Sequence, residues 1–163
     1  MKHIYTVLIL ATALALTGCY EDSEKNFPPA ARDSLYTLTV DRALNDKLIG
    51  YDVNGDTLSF QVEQESDVGD LNVNSDGTFS FMPPAEFVGI VEFTYSVSDG
   101  VFSDEGIVSI VVEAEHVAAS FYIREVFSQG EDADPLPLNG RIFNDDVTDT
   151  TAFDDLIAEG EGG

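Results

Sequence analysis

Val91-Glu92-Phe93-Thr94-Tyr95-Ser96-Val97-Ser98-Asp99-Gly100 is the stretch on which the fold turns. Apolar Val91, Phe93, Tyr95 and Val97 alternate with polar Glu92, Thr94 and Ser96, and the run stops at the turn-forming pair Asp99-Gly100. A strand sends successive side chains to opposite faces, so this run has one face to bury and one to leave wet. The period is two, not the 3.6 of a helix.

The same alternation recurs on both sides. Tyr36, Leu38 and Val40 bracket Thr37 and Thr39, and Leu58, Phe60 and Val62 bracket Ser59 and Gln61. Phe79 and Phe81 flank Ser80, and Val108, Ile110 and Val112 close the set. Asn54-Gly55-Asp56, Asp76-Gly77 and Pro83-Pro84 lie between the runs as turn formers. With weaker strands at 43–49 and 71–73, seven strands fit into residues 34–115. That density predicts an all-β protein, an immunoglobulin-like antiparallel β-sandwich with Phe60, Phe79, Phe81, Phe93, Tyr95 and Val97 inward.

The amino terminus carries a different signal. Lys2 and His3 precede an uncharged, largely apolar run from Ile4 to Leu16, which ends in Leu16-Thr17-Gly18-Cys19. A basic start, a short apolar centre and small residues before a cut are the marks of a secretory signal peptide. The run is shorter than the ~20 apolar residues a membrane span requires. Leu16-Thr17-Gly18-Cys19 resembles the bacterial lipoprotein box, which implies that Cys19 becomes the acylated first residue of the mature chain. The alternative is an ordinary signal peptide with an incidental Cys. Residues 1–18 are thus expected to be removed and 19–33 to form a tether. Tyr20, not Asp, follows the Cys, so the usual inner-membrane retention signal is absent and the outer membrane of the cell envelope is the expected location.

Composition narrows the partners. The chain has 163 residues, 31 Asp and Glu against seven Lys and Arg, and a formal net charge of −24. Such a surface excludes nucleic acid, whose phosphates need basic patches. It also disfavours adsorption to anionic lipid, so membrane contact is expected through a lipid anchor alone. Cys19 is the single cysteine, which excludes a disulfide framework. Extracellular domains without disulfides often stiffen acidic loops with calcium, although a general acidic solubility bias gives the same composition.

After Glu115 the period changes. Ala119, Tyr122, Ile123, Val126 and Phe127 follow the spacing of one helix face, and this stripe either packs on the sandwich or awaits a partner. From Glu125 onwards there are eleven acids and one base, Arg141, with Pro135 and Pro137 among them. Residues 116–163 are therefore expected to form an acidic tail, partly helical and otherwise disordered, with a short helix opening near Thr151.

The sandwich resembles the bacterial cadherin-like or Ig-like repeat found in tandem in surface adhesins. The residues that carry this are Asn26 with Pro28-Pro29-Ala30, Leu48 to Phe60 including Asp52-Val53-Asn54-Gly55-Asp56, Asn74 to Pro83, Phe87-Val88-Gly89, and Phe93 to Gly100. The resemblance spans about residues 26–114 and implies a non-enzymatic module for adhesion or spacing, often calcium-binding. Two departures stand out: Val40 occupies a position that is commonly acidic in the family, with Asp41 adjacent, and the repeat occurs once.

Asp52, Asn54 and Asp56 place three oxygen side chains at alternate positions, with Gly55 allowing a tight bend, a plausible calcium half-site. Glu63 falls at the twelfth position of an EF-hand count, but strands flank the loop, so it is no EF-hand. Asp41 and Asp99 are weaker candidate ligands. The same loop also reads as a plain strand connection whose carboxylates bond backbone amides. No catalytic constellation emerges: His116 is the single histidine beyond the signal, no zinc cluster or phosphate loop is present, and pairs such as Glu63 and Glu65 are commonplace in so acidic a chain. Three functions remain in view. They are a lipid-anchored interaction or spacing module, an accessory lipoprotein that captures a protein through the tail stripe Tyr122, Ile123, Val126 and Phe127, and, weakest given the absence of Trp, a carbohydrate-binding accessory protein. The sequence names no ligand and no oligomeric state.

Overall fold

The computed structural model describes residues 25–149 and 151–156. The expected signal peptide, Cys19 and residues 20–24 of the expected tether lie outside the described residues. The chain builds β1 (Ala30–Ala31), β2 (Ser34–Thr39), β3 (Leu44–Lys47), β4 (Gly50–Tyr51), β5 (Ser59–Gln64), β6 (Asp70–Val73), β7 (Thr78–Met82), β8 (Gly89–Ser98) and β9 (Ser103–Glu113). Then come β10 (Glu115–Ala118), α1 (Ala119–Ser128) and β11 (Arg141–Asn144). Seven of these make the sandwich: a four-stranded sheet in the order β2-β9-β8-β5 faces a three-stranded sheet in the order β3-β7-β6.

The alternating runs bury the faces expected of them. Val91, Phe93, Tyr95 and Val97 of β8 are buried, as are Val108, Ile110 and Val112 of β9 and Phe79 and Phe81 of β7. In register, Val91 sits opposite Ile110 and Phe93 opposite Val108. The two sheets meet through aromatic edges, with Phe79 5.7 Å from Phe93 and 5.8 Å from Tyr36 between ring centroids. Such edge-to-face pairs add ~0.5–1.5 kcal/mol beyond the area they bury. Phe60 is half-buried at the margin and packs 6.2 Å from Tyr95. Gly106 faces Tyr95 across the β8–β9 ladder, and a Cβ there would stand 2.9 Å from the ring, so a glycine at that position makes room for the tyrosine.

One pairing departs from the antiparallel expectation: β2 runs parallel to β9, with Tyr36 opposite Ile110 and Leu38 opposite Val112. Alternation is the same in parallel and antiparallel strands, so the pattern says which face is buried and not which way the neighbour runs. A parallel neighbour needs a long connection, and here the rest of the sandwich supplies it.

The tail is more ordered than its charge suggests. β10 and β11 pair in parallel, Glu115 opposite Arg141 and Ala118 opposite Asn144, with α1 as the crossover between them. The helix matches the expected periodic segment, whereas the strand at 141–144 was expected to be helix or disordered chain. Only Ile142 and Phe143 are apolar in it, too few for a period to register. What holds it is non-local. The Arg141 guanidinium lies 3.1 Å from Asp41 Oδ2 and 3.5 Å from Glu115 Oε2. Glu86 accepts from the Leu138 amide at 3.0 Å and from Asn139 Nδ2 at 2.8 Å. The Glu115 amide donates to the Gly140 carbonyl. Asp146 caps α1 from outside the helix by accepting from the Ser120 amide and hydroxyl, which draws its carboxyl below the ordinary aspartate value. The short helix expected near Thr151 is described only as far as Leu156, where Arg124 of α1 pairs with Asp155 at 2.6 Å.

Candidate functional site

β8 has ten residues, about 33 Å at ~3.3 Å per residue, and the two ends of the sandwich are set apart by that length. The leading end, where the chain enters, gathers three segments: residues 25–29 before β1, the loop after β4, and the β8–β9 hairpin. β1 pairs with β4, Ala30 opposite Tyr51, which brings the Asn26 segment and the Asp52 loop side by side. The Tyr95 hydroxyl fastens both to the sheet. It accepts from the Arg32 amide at 3.1 Å and offers its one proton to the carbonyls of Arg32 at 2.8 Å and Ile49 at 2.7 Å.

Carboxylate oxygens of Asp52, Asp56 and Asp99 converge to within 4.8 Å of one another at this end. Asp52 is buried, and its Oδ1 accepts from the amides of Asn54 at 2.8 Å and Asp56 at 3.2 Å, which shapes the turn. Its Oδ2 is shut off from solvent and has no hydrogen-bond partner among the described residues. Asn26 donates through Nδ2 to Asp99 Oδ2 at 3.0 Å, and its own Oδ1 is likewise buried without a partner. Asp99 accepts from the Phe102 and Val101 amides at 2.6 and 2.7 Å, and these donors, with the Asn26 amide, hold its carboxyl below the usual range. Buried oxygens left without donors are costly unless something positive faces them. Three carboxylates and an amide oxygen suit a hard divalent cation such as calcium.

Of the sequence candidates, Asp52, Asp56 and Asp99 are brought together. Asn54 does different work: its Oδ1 accepts from the Phe27 amide at 2.8 Å and its Nδ2 donates to the Lys25 carbonyl at 3.1 Å, so it pins the leading segment beside the carboxylates. Asp41 is not part of the cluster. It lies at the trailing end of the sandwich, accepting from the Glu86 amide at 2.7 Å and pairing with Arg141. Val40 is at that end too, buried and bonded through its amide to the Glu113 carbonyl, so its apolar character has no bearing on the converging carboxylates. Asn26 was not among the candidate ligands. In the sequence it stands out only through the family resemblance, just before Pro28-Pro29, because spacing cannot show that a residue 26 positions before Asp52 returns beside it.

The tail stripe splits. Tyr122 turns toward the strand, its ring 4.8 Å from Phe143 and its hydroxyl donating to the Leu136 carbonyl, and Ile123 is half-buried. Val126 and Phe127 are exposed, and so is Phe121, which the stripe did not include. Among the described residues no helix is long and apolar enough to cross a membrane.

No curated relative matches the chain. Among solved structures, the endo-fucoidan hydrolase MfFcnA4 of glycoside hydrolase family 107 is similar at 28% identity and TM-score 0.43, over 59% of this chain and 15% of that one. Human protocadherin-24 EC1-2 is similar at 17% identity and TM-score 0.42, over 58% of this chain and 52% of that one. The chain thus spans a minor part of the first and about half of the second. Residues 26–114 match the bacterial cadherin-like domain, and they contain the whole sandwich, Asn26 and the three converging carboxylates. The chain belongs to the bacterial cadherin-like domain family.

Proposed function

We propose that this protein is a non-enzymatic, calcium-stabilised interaction module held at the outer membrane through an acylated Cys19. Its cadherin-like domain makes an adhesion or interaction role the family's contribution to this reading. The observation that carries the calcium part is the pair of buried oxygens without a hydrogen-bond donor among the described residues, Asp52 Oδ2 and Asn26 Oδ1, beside three converging carboxylates. Asp52, Asp56, Asp99 and the Asn26 amide oxygen would hold the ion, with carbonyls or waters completing the six to eight oxygens that calcium takes. Bound there, calcium would tie the leading segment, the Asp52 loop and the β8–β9 hairpin together, stiffening the end nearest the anchor.

A ligand that binds only the folded state adds stability as RT ln(1 + [L]/Kd), so calcium should raise the melting temperature of the wild type. Asp52→Asn with Asp56→Asn should abolish the rise, and magnesium should give less of it because it holds its waters in a tight octahedron. An equal response from the double variant would mean plain charge screening and would end the calcium reading. The anchor is tested separately: the wild type should partition into detergent and Cys19→Ser into the aqueous phase.

A second reading, capture of a protein partner through the C-terminal unit, is favoured by one observation: among the described residues no residue of α1 is fully buried.

A further inference from the structure

At the trailing end, an open crevice of about 420 Å³ runs between β10, the start of α1 and the Leu136-Pro137 segment. Its apolar wall is made by Val117, Phe121, Tyr122 and Leu136, and Glu115 and Glu125 stand on its rim. A surface helix normally turns one apolar stripe into a core, but no residue of α1 is fully buried among the described residues, and Phe121 is 62% exposed at the crevice. The helix is nevertheless held. Asp146 caps it, Tyr122 stands on Phe143 and Leu136, and Arg124 pairs with Asp155. A fixed exposed aromatic next to an apolar crevice is the layout of an interface anchor and its pocket.

Charge decides what fits. Two basic side chains line the crevice among the described residues, Arg141 and His116. Arg141 is spent on Asp41 and Glu115, and His116 lies 3.4 Å from Asn144 Oδ1, so Glu125 is the lining carboxylate without an ion-pair partner. A second copy would press a formal −24 against its like, and nucleic acid or an anionic bilayer would be repelled in the same way. We propose that the crevice receives a basic amphipathic segment of another protein, an apolar side chain entering against Phe121 and Leu136 while lysine or arginine meets Glu125. This deepens the interaction-module reading by giving the partner's chemistry, and it uses the end of the sandwich opposite the carboxylate cluster.

The test uses the full mature chain with Cys19→Ser and two fluorescein-labelled synthetic peptides of one helical pattern, Leu/Lys and Leu/Glu, read by anisotropy at physiological ionic strength. The Leu/Lys peptide should bind and the Leu/Glu peptide should not. Phe121→Ser keeps the charge and should weaken binding by about tenfold or more, as loss of an interface anchor does. Glu125→Lys, at an exposed position, should weaken it as well and keeps the proposal testable should Phe121→Ser fold poorly. Equal affinity of wild type and Phe121→Ser would show mere attraction of lysine to an acidic protein and would overturn the proposal. So would sedimentation showing a Phe121-dependent dimer and no peptide binding. Calcium's effect on the melting temperature should be the same in Phe121→Ser as in wild type, so either reading can fail without the other.

Discussion

Tyr95→Phe removes one oxygen and tests how the leading end is assembled. Tyr95 is fully buried, and its hydroxyl is the link from β8 to the backbone at Arg32 and Ile49. The phenol carries one proton, so it donates one bond at a time to the two carbonyls and accepts one from the Arg32 amide. Two bonds at about 0.5–1.5 kcal/mol each put the loss at roughly 1–3 kcal/mol. The Arg32 amide retains the Ile49 carbonyl at 3.1 Å, and both residues reach solvent, which places the expectation at the lower end, about 1–2 kcal/mol. For a domain of this size each kcal/mol shifts the melting temperature by roughly 4–8 °C. Burial raises the Tyr95 pKa, so the hydroxyl stays protonated throughout the neutral range and the deficit should not vary with pH there. Because the same bonds hold β1 beside β4, and these carry Asn26 and Asp52 into place, the variant should also need more calcium to reach the same stabilisation. Urea melts with and without calcium measure both effects. A change under about 0.5 kcal/mol, the size of an indifferent surface substitution, would refute the assignment of the hydroxyl as a structural link.

Phe93→Ala, at a site 2% exposed between Phe79 and Val108, should cost about 3–5 kcal/mol in chemical denaturation, and a cost under ~1 kcal/mol would place the ring outside the core. Arg141→Gln should release the 138–144 segment and leave the sandwich folded, seen as faster amide exchange at Leu138 and Glu115 with unchanged exchange in β8; unchanged exchange in both would mean that the ion pairs with Asp41 and Glu115 do not hold the strand. The Asp99 carboxyl titrates below its unfolded value, near 3.9, so the stability it contributes is present above that pH and is lost as pH falls through the folded value. Protons compete with calcium for the same oxygens, so calcium's effect on the melting temperature should hold steady above about pH 5 and decline as the carboxylates protonate below the ordinary aspartate value of about 3.9; an effect undiminished where those carboxylates are protonated would rule out carboxylate ligation.

The faces of the strands, and hence the core, were legible in the sequence because alternation is a local property. Phe79, Phe81, Phe93, Tyr95 and Val97 each sit where their own neighbours place them, inside. Asp52, Asp56 and Asp99 could be named for the same reason, from turn chemistry and the carboxylates themselves. Which of the acids would meet could not be read in this way. Asp41 and Asp99 look alike in sequence, but one lies at the trailing end bound to Arg141 and the other beside Asp52, because proximity depends on how strands pair across the whole domain. The parallel β2–β9 pairing, the return of Asn26 beside Asp99 and the β11 strand are of the same kind. A period of two or of 3.6 reports which way a side chain faces along its own segment. The partner across the gap is chosen by ladder bonds and ion pairs between residues as far as 100 positions apart, and only the tertiary structure decides those.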